Sequence, residues 1–380
     1  MKEFLPARRL RGIQKSMIRQ VFDRALPGSI NLGLGEPDLP TPDIIRRTAV
    51  KVIQDEQNGY TTHAGLPALR EFIANDNKVL GVSANDVIVT AGSQEALYLA
   101  LLTLIDEGDE VLIPDPGFVA YPTITQMAGG ATTTYSLPAA EGFSFDLESF
   151  KQSITPRTRV LVCISPSNPT GRTLSAAELK AMAAAIENTG IFVISDEIYR
   201  DLYFGDKRPA SIADYYPNTL VISGLSKSMS MTGWRLGWIC GATEVIRAAL
   251  ILHGYVTTCA STVSQKAALA AWTDEAESAR KAHRNIFKER RDFLLSLLET
   301  RAGLKAVTPD GAFYTMVDIH QYGSSIQVAE AMLEQRVITV PGAAFGKQGE
   351  GFLRVSFCAS LDTLAEGVDR IRKGLERSRG

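Results

Sequence analysis

One lysine and one arginine lie close together in a turn that follows a short apolar run. The run is 220–222 (Leu-Val-Ile), and the small and polar residues after it carry Lys227 and, eight positions later, Arg235. An amine forms a Schiff base with an aldehyde, and a guanidinium holds a phosphate. Pyridoxal phosphate (PLP) carries both groups, so these residues predict a PLP site. The alternative is a solvated surface lysine, which fits an apolar, glycine-bounded segment between two predicted buried strands less well.

Three further polar residues follow predicted strands. Asp196 ends the apolar run 191–195, and a carboxylate there can keep a pyridine nitrogen protonated so that the ring becomes an electron sink. Tyr199 and Asn168 can donate hydrogen bonds to the phenolate oxygen of the ring, which lowers the pKa of a nearby Schiff base. Each also has a purely structural explanation, since an aspartate can cap a helix and an asparagine before proline is typical of a turn.

The sequence also offers groups for a phosphate and for a ring face. A helix N-terminus that follows a glycine is a ready anion site, although most such turns only cap the helix. Ser226, beside Lys227, can reach the same phosphate, and Phe118 can stack on a pyridine ring or be an ordinary core aromatic. The residues that combine a glycine with a predicted helix start are Gly92, Ser93 and Gln94.

An arginine interrupts the apolar strand predicted at 352–357. A buried Arg354 needs an anionic partner, and its planar guanidinium matches the α-carboxylate of a substrate through two parallel bonds. The alternative is an internal salt bridge to a protein carboxylate. Gly35, in the first loop, lets the backbone approach the same substrate carboxylate.

Composition indicates a soluble globular protein that is not built to bind nucleic acid or a membrane surface. The chain has 380 residues, 45% hydrophobic and 22% charged, and a formal net charge of -2, so no strong field attracts nucleic acid or a membrane surface. No signal-peptide core or membrane-length apolar run is evident. The sequence therefore predicts a cytoplasmic protein whose cysteines, without zinc-type spacing, are small buried hydrophobes: Cys163, Cys240, Cys259 and Cys358.

Short apolar runs alternate with helical patterns through the first three quarters of the chain. Such alternation predicts an α/β fold with a large domain built on a mainly parallel seven-stranded sheet covered by helices, and reactive groups at the carboxyl ends of the strands. After residue 279 the pattern changes to a long amphipathic helix and an α+β segment. We expect a large PLP-binding domain at 45–285 and a smaller α+β domain formed by 1–44 with 286–380. The seven runs are 87–90, 110–113, 132–135, 160–164, 191–194, 220–222 and 238–240.

With these motifs the chain resembles the class I and II PLP-dependent aminotransferases of fold type I, the group around aspartate, aromatic and kynurenine aminotransferases. The most specific segment is 226–237 (SKSMSMTGWRLG), and 165–171 (SPSNPTG) and 195–199 (SDEIY) also match. The resemblance extends from residue 32 to residue 357.

The resemblance implies a role for each candidate residue. Lys227 would hold PLP and move a proton at the substrate Cα, Asp196 would pair with the pyridinium, and Arg354 would bind the substrate α-carboxylate near Gly35 and Asn168. Tyr60 is similar to the tyrosine that reaches the phosphate of the neighbouring subunit, which implies a homodimer with shared active sites. Asn168 and Tyr199 would donate to the phenolate oxygen of the ring, and Phe118 would stack on the ring. The residues that would bind the phosphate are Gly92, Ser93, Gln94, Ser226 and Arg235.

The expected activity is transfer of an amino group from an L-amino acid to a 2-oxo acid, with 2-oxoglutarate as acceptor, by a ping-pong mechanism. Two alternatives stay open on the sequence. One is a PLP-dependent C–S β-lyase or related elimination enzyme of the same fold. The other, a non-enzymatic ligand sensor fused to a DNA-binding module, is disfavoured because only about 30 residues precede the first motif and the charge is not basic.

The chain also departs from the family pattern. Gly224 lies where some relatives have a serine close to the phosphate. The sequence has no clear distal arginine of the kind that selects dicarboxylic substrates. Lys15, in the N-terminal arm, is either a cation of the substrate site or a solvated charge, and we favour the solvated charge.

Overall fold

The structure, a computed structural model, describes residues 4–56 and 58–378 of the chain. In this part of the chain the strands are β1 (Ile30–Asn31), β2 (Val87–Thr90), β3 (Glu110–Asp115), β4 (Ala131–Ser136), β5 (Thr158–Ile164), β6 (Phe192–Asp196), β7 (Thr219–Gly224), β8 (Gly237–Cys240), β9 (Tyr314–Asp318), β10 (Val337–Ile338), β11 (Val340–Pro341) and β12 (Phe352–Ser356). The α-helices are α1 (Met17–Asp23), α2 (Asp43–Gln54), α3 (Pro67–Asp76), α4 (Ser93–Leu104), α5 (Ala120–Met127), α6 (Leu147–Ser153), α7 (Ala176–Ala185), α8 (Thr243–Val256), α9 (Thr262–Ala268), α10 (Asp274–Ala302), α11 (Ser325–Glu334) and α12 (Leu361–Ser378).

The predicted seven-stranded sheet is confirmed, with one strand for each apolar run. Its order is β2-β8-β7-β6-β5-β3-β4, and every neighbouring pair is parallel except those that include β8. The inner strands are almost continuously apolar because helices cover both faces of the sheet, whereas the edge strand β4 is polar and largely exposed. On β5, for example, Val160 and Val162 belong to one core cluster, whereas Leu161 and Cys163 belong to another.

Helix boundaries follow local capping signals. The side chain of Ser175 accepts from the backbone N–H of Glu178, and the Glu178 side chain accepts from the backbone N–H of Ser175, so a capping box opens α7. The long amphipathic helix α10 begins at Asp274, earlier than its apolar periodicity indicates, because the Thr273 side chain caps its first turn. It ends where Gly303 takes the left-handed conformation at φ 64°.

A second group of strands brings the two ends of the chain together. Strands β9, β12 and β11 form a three-stranded antiparallel sheet, and β1 pairs in parallel with β10. Helix α12 packs against α10 and α11. Strand β1 of the N-terminal segment therefore contacts the C-terminal α+β segment.

Two expectations about composition have structural outcomes. Across residues 4–56 and 58–378, none of the helices combines the length and the apolar character that a membrane span needs. Cys163, Cys240 and Cys358 are buried, as expected. The expectation is wrong for Cys259, which is only half-buried because it lies in the connection between α8 and α9 rather than in a strand or helix.

Candidate active site

A cavity of about 800 Å³ lies where the carboxyl ends of the sheet strands meet the C-terminal segment. The turns after β2, β3, β5 and β7 and the end of β6 supply most of its polar side chains, at the expected edge of a parallel sheet. Strands β9 and β12 add Tyr314 and Arg354. Eleven of the thirteen candidate residues line it: Gly35, Ser93, Gln94, Phe118, Asn168, Asp196, Tyr199, Ser226, Lys227, Arg235 and Arg354.

The two other candidates lie outside the cavity lining for different reasons. Gly92 lies immediately behind it, and its φ is +88°. A Cβ at Gly92 would approach Nη2 of Arg235 to 2.6 Å, so glycine lets the guanidinium reach the start of α4. Tyr60 is 88% exposed.

Lys227 lies in the turn after β7 and points into the cavity. Its Nζ donates to the carbonyl oxygen of Gly35 at 2.7 Å and lies 6.0 Å from the ring centroid of Phe313. Burial lowers the pKa of Lys227 to about 8, because a low-dielectric environment disfavours the ammonium. The neutral, nucleophilic amine is therefore far more populated near neutral pH than in a solvated lysine.

Arg235 directs its guanidinium toward the start of α4. Its Nη1 donates to the carbonyl oxygen of Thr232 at 2.9 Å and its Nη2 to that of Ala91 at 3.4 Å. The backbone N–H groups of the first turn of α4, at Ser93 and Gln94, point to the same end of the cavity, and the positive end of the helix dipole adds to them. This end of the cavity suits an anion with several oxygen atoms.

Asp196 is buried at the end of β6, and each of its two carboxylate oxygens accepts a hydrogen bond. The hydroxyl of Tyr121 donates to Oδ2 at 2.8 Å, and the backbone N–H of Ile198 donates to Oδ1 at 3.3 Å. Burial raises the pKa of Asp196 to about 6, against the lowering effect of these two hydrogen bonds. A cationic ring nitrogen beside this carboxylate would favour its ionised form.

Tyr121 is a site residue that the sequence did not single out. It lies in α5, three positions after Phe118, and the two rings meet edge to face with centroids 5.6 Å apart. A fully buried tyrosine in an apolar helix is indistinguishable from a core residue by composition. The only local signal was the spacing from Phe118, which places both rings on one side of a helical turn.

Arg354 is the most buried cation of the cavity, with 2% of its surface exposed. Its Nη1 donates to Oδ1 of Asn168 at 2.8 Å, its Nη2 donates to the carbonyl oxygen of Gly33, and its Nε has no hydrogen-bond partner. The guanidinium carbon lies 4.3 Å from the ring centroid of Tyr314. Among the described residues no carboxylate forms an ion pair with Arg354, so an internal salt bridge does not explain its burial.

Tyr314 is the second residue that the sequence missed. Its hydroxyl lies 3.0 Å from that of Tyr199, and burial raises the pKa of Tyr314 to about 12, so the phenol is neutral and can donate. A Cβ at Gly35 would lie 1.5 Å from the Tyr314 hydroxyl oxygen, which explains the glycine at that position. Nothing in the local sequence indicates its contact with Tyr199, which lies 115 positions away.

Three cations thus line one cavity without a carboxylate partner in the part of the chain that the structure describes: Lys227, Arg235 and Arg354. A buried cation such as Arg354 needs an anionic partner, and the exposed guanidinium of Arg235 is available to a second anion, so the site is suited to ligands that carry at least two anionic groups. The donor set fits PLP: an amine for its aldehyde, a helix N-terminus with an arginine for its phosphate, and Asp196 for its ring nitrogen.

Two departures from the family pattern have a structural explanation. A Cβ at Gly224 would lie 2.8 Å from the carbonyl oxygen of Leu236, so this backbone leaves no room for the serine of some relatives. Nζ of Lys15 pairs with Oδ2 of Asp23 at 2.8 Å, and the Lys15 side chain is 72% exposed. Lys15 is therefore a solvated cation, as favoured from the sequence.

Comparison with known proteins agrees with the geometry. The family model described as aminotransferase class I and II matches residues 27–371. The probable aspartate aminotransferase of Methanocaldococcus jannaschii is 37% identical over 97% of this chain and 99% of its own length. The aspartate aminotransferase of Pyrococcus horikoshii is 35% identical over 99% of this chain and 98% of its own.

A solved structure shares both the fold and its full extent. It is that of the aspartate aminotransferase from Thermus thermophilus with maleate, which superposes with a TM-score of 0.93 at 33% identity and covers 98% of this chain and 100% of that one. The family model and these matches cover nearly the whole length of the chain. They include the sequence motifs that form the strand-end cavity. The chain belongs to the class I and II aminotransferases, a family of PLP-dependent transferases.

Proposed function

We propose that the protein binds PLP and moves an amino group from an L-amino acid to a 2-oxo acid, with 2-oxoglutarate as acceptor, by a ping-pong mechanism. The observation that carries the proposal is the set of three unpaired cations around the buried carboxylate of Asp196. When bound, PLP supplies an electron-withdrawing ring that stabilises the negative charge left after the substrate Cα loses its proton.

Lys227 and Asp196 are the proposed catalytic residues, with Tyr199 beside them. The lowered pKa of Lys227 makes its Nζ both the attachment point for the cofactor and a base of suitable strength for the proton on the substrate Cα. Asp196, fixed by Tyr121, pairs with the ring nitrogen. The Tyr199 hydroxyl would donate a hydrogen bond to the phenolate oxygen of the ring and keep its proton, because burial raises the pKa of Tyr199.

Asn168 has a geometry that suits the same phenolate oxygen. Its Oδ1 already accepts from Arg354, so the amide N–H groups remain as donors. Arg354 in turn keeps unused N–H groups for the α-carboxylate of the substrate, close to Gly35, whose carbonyl oxygen accepts from Lys227. The phosphate would be held by Gly92, Ser93, Gln94, Ser226 and Arg235, and Phe118 would stack on the ring.

The chain is proposed to form a homodimer in which Tyr60 of one subunit reaches the phosphate of the other. Large apolar side chains are exposed near the cavity mouth, with Tyr255 at 91% and Val256 at 53%, and Val256 itself lines the cavity. An exposed apolar surface that continues into a binding site is typical of a subunit interface. The four unpaired cysteines are consistent with a reducing, cytoplasmic location.

The proposed domains are a large PLP-binding domain at 45–285 and a small domain formed by 1–44 with 286–380. The seven-stranded sheet lies within the first, and the pairing of β1 with β10 supports grouping the two ends of the chain. Helix α10 crosses the proposed boundary, so it would connect the domains as one rigid element.

The function is tested by absorbance spectroscopy of the PLP-loaded protein. An amino acid should bleach the band of the bound cofactor, 2-oxoglutarate should restore it, and initial-rate plots for the two substrates should be parallel. Lys227→Ala should abolish turnover, whereas Lys281→Ala, at an exposed position of α10, should not. Release of pyruvate and ammonia without any oxo acid would instead identify an elimination enzyme.

A further inference from the structure

Asp115 is a buried carboxylate at the end of β3 that takes no part in the proposed reaction. It is 7% exposed, and it lies at the same edge of the large sheet as the cavity without lining it. Burial raises the pKa of Asp115, because the charge is removed from water, although two backbone N–H groups donate to the carboxylate. A buried carboxylate is tolerated only where it is hydrogen-bonded, so the position of its partners indicates what it does.

Both backbone groups that donate to Asp115 belong to the loop between β11 and β12. The N–H of Gln348 donates to Oδ1 at 3.0 Å, and the N–H of Lys347 donates to Oδ2 at 3.2 Å. Gly346, just before them, has a φ of +130°, and a Cβ there would lie 2.1 Å from Oδ1 of Asp115. The close approach of this loop to the carboxylate therefore requires glycine.

A further hydrogen bond joins the same loop to the turn after β3. The backbone N–H of Gly117 donates to the carbonyl oxygen of Phe345 at 2.8 Å. Gly117 lies between Asp115 and Phe118, the residue proposed to stack on the cofactor ring. The turn that carries the ring-stacking residue is therefore bonded to the loop between β11 and β12 at three of the loop's backbone groups.

The loop held by Asp115 carries an aromatic side chain that contacts Arg354. The guanidinium carbon lies 4.8 Å from the ring centroid of Phe345, which is buried. Tyr314 supplies a second ring, and the two Nη atoms donate to protein oxygens already described. Two parallel bonds to a carboxylate need the guanidinium plane in one orientation, so a ring that packs against it bears on substrate binding.

We infer that Asp115 is a positioning residue for the α-carboxylate of the substrate. By holding the loop between β11 and β12 against the end of β3, Asp115 keeps the Phe345 ring against Arg354 and fixes the orientation in which the guanidinium meets the carboxylate. The inference rests on the proposed function. The simpler role, a hydrogen-bond acceptor that contributes to stability alone, predicts a different kinetic result.

The first test compares the steady-state constants of wild type and Asp115→Asn for 2-oxoglutarate and for the amino acid that bleaches bound PLP fastest. An amide has one oxygen where the carboxylate has two, so one N–H group of the loop loses its acceptor. The KM should rise about tenfold for both substrates, because both carry the α-carboxylate that Arg354 binds. The kcat and the PLP affinity should change less than about threefold.

The matched control is Glu110→Gln, at the opposite end of the same strand. Glu110 is also buried, and its carboxylate accepts from the side chains of Thr155 and Arg157, far from the cavity. This variant should lower the thermal stability and leave both KM values unchanged. A KM rise of equal size in Glu110→Gln would overturn the inference, because the effect would then follow from destabilisation of the strand.

The second test breaks the same contact from the loop. Gly346→Ala places a Cβ against Oδ1 of Asp115, so it should raise both KM values by about the same factor, and the double variant should be no worse than either single one. Gly205→Ala, with no atom within 4 Å of the new Cβ, is its control and should change neither KM.

The outcomes separate the inference from the proposed function. Unchanged KM values in a folded Asp115→Asn, with turnover in wild type, would overturn the inference and leave the proposed function intact. If Asp115→Asn does not fold, unchanged KM values in Gly346→Ala would overturn it in the same way. No turnover by the PLP-loaded wild type with any donor would overturn the proposed function and the inference with it.

Discussion

Replacing Arg354 by glutamine should remove substrate binding while leaving cofactor binding in place. A guanidinium has five N–H donors, and two of those of Arg354 are used by Asn168 and Gly33. Three donors remain for the α-carboxylate, of which two can form parallel bonds. A hydrogen bond to a charged group is worth about 1.5–3 kcal/mol, so the loss of two amounts to about 3–6 kcal/mol, or about 10²–10⁴-fold in kcat/KM for the amino donor.

The assay compares donor kcat/KM with PLP affinity for the same variant. The PLP affinity of Arg354→Gln should change less than about threefold, because Arg354 faces the substrate rather than the phosphate. The donor kcat/KM of Arg354→Lys should lie between the values for wild type and Arg354→Gln, since lysine keeps the charge but not the planar guanidinium. The control is Arg290→Gln, which removes an arginine that is also buried, at 8% exposure, but pairs with Asp38. This control should lower thermal stability and leave donor kcat/KM nearly unchanged. Donor kcat/KM within tenfold of wild type in a fully PLP-loaded Arg354→Gln enzyme would refute the assignment.

Three further predictions concern the cofactor end of the cavity. Uptake of PLP by the apoenzyme should slow about tenfold for each pH unit below about 8, because only the neutral amine of Lys227 attacks the aldehyde and its pKa is about 8; a pH-independent rate in stopped-flow absorbance would contradict this. Gly92→Ala should weaken PLP binding at least about tenfold, because the new Cβ displaces the guanidinium of Arg235. Gly59→Ala, with no atom within 4 Å of the new Cβ, should leave PLP binding unchanged. Equal affinities of the two variants in a PLP titration would contradict this prediction. Tyr121→Phe should raise the pKa of Asp196 above about 6 and move the acidic limb of the kcat–pH profile upward, and an unmoved limb would argue against their coupling.

The sequence predicted the parts of the site that depend on local pattern. Asp196 and Lys227 follow apolar runs that could only be buried strands, and parallel strands bring their carboxyl ends to one edge. The predicted limits of most sheet strands needed only small extension, because a strand is limited by turn residues that lie beside it in the sequence. The helix start at Ser93 was equally local, since it required only a glycine before an apolar helical pattern.

The contacts that connect distant segments could not be predicted in the same way. Tyr314 meets Tyr199 across 115 positions, and Arg354 meets Asn168 across 186. Both depend on how β9 and β12 pack against the carboxyl edge of the large sheet. Tyr121 was missed for a related reason, because a buried tyrosine reveals its hydrogen-bond partner only through the tertiary structure.

The most direct test of Lys227 as the residue that holds the cofactor is borohydride reduction of the PLP-treated protein, followed by peptide mapping with mass spectrometry. Reduction should fix a phosphopyridoxyl group on the peptide that contains Lys227, in one copy per chain, and Lys227→Ala should carry none. A protein left unmodified, or one modified at another lysine with Lys227 intact, would contradict the assignment of this cavity as the PLP site.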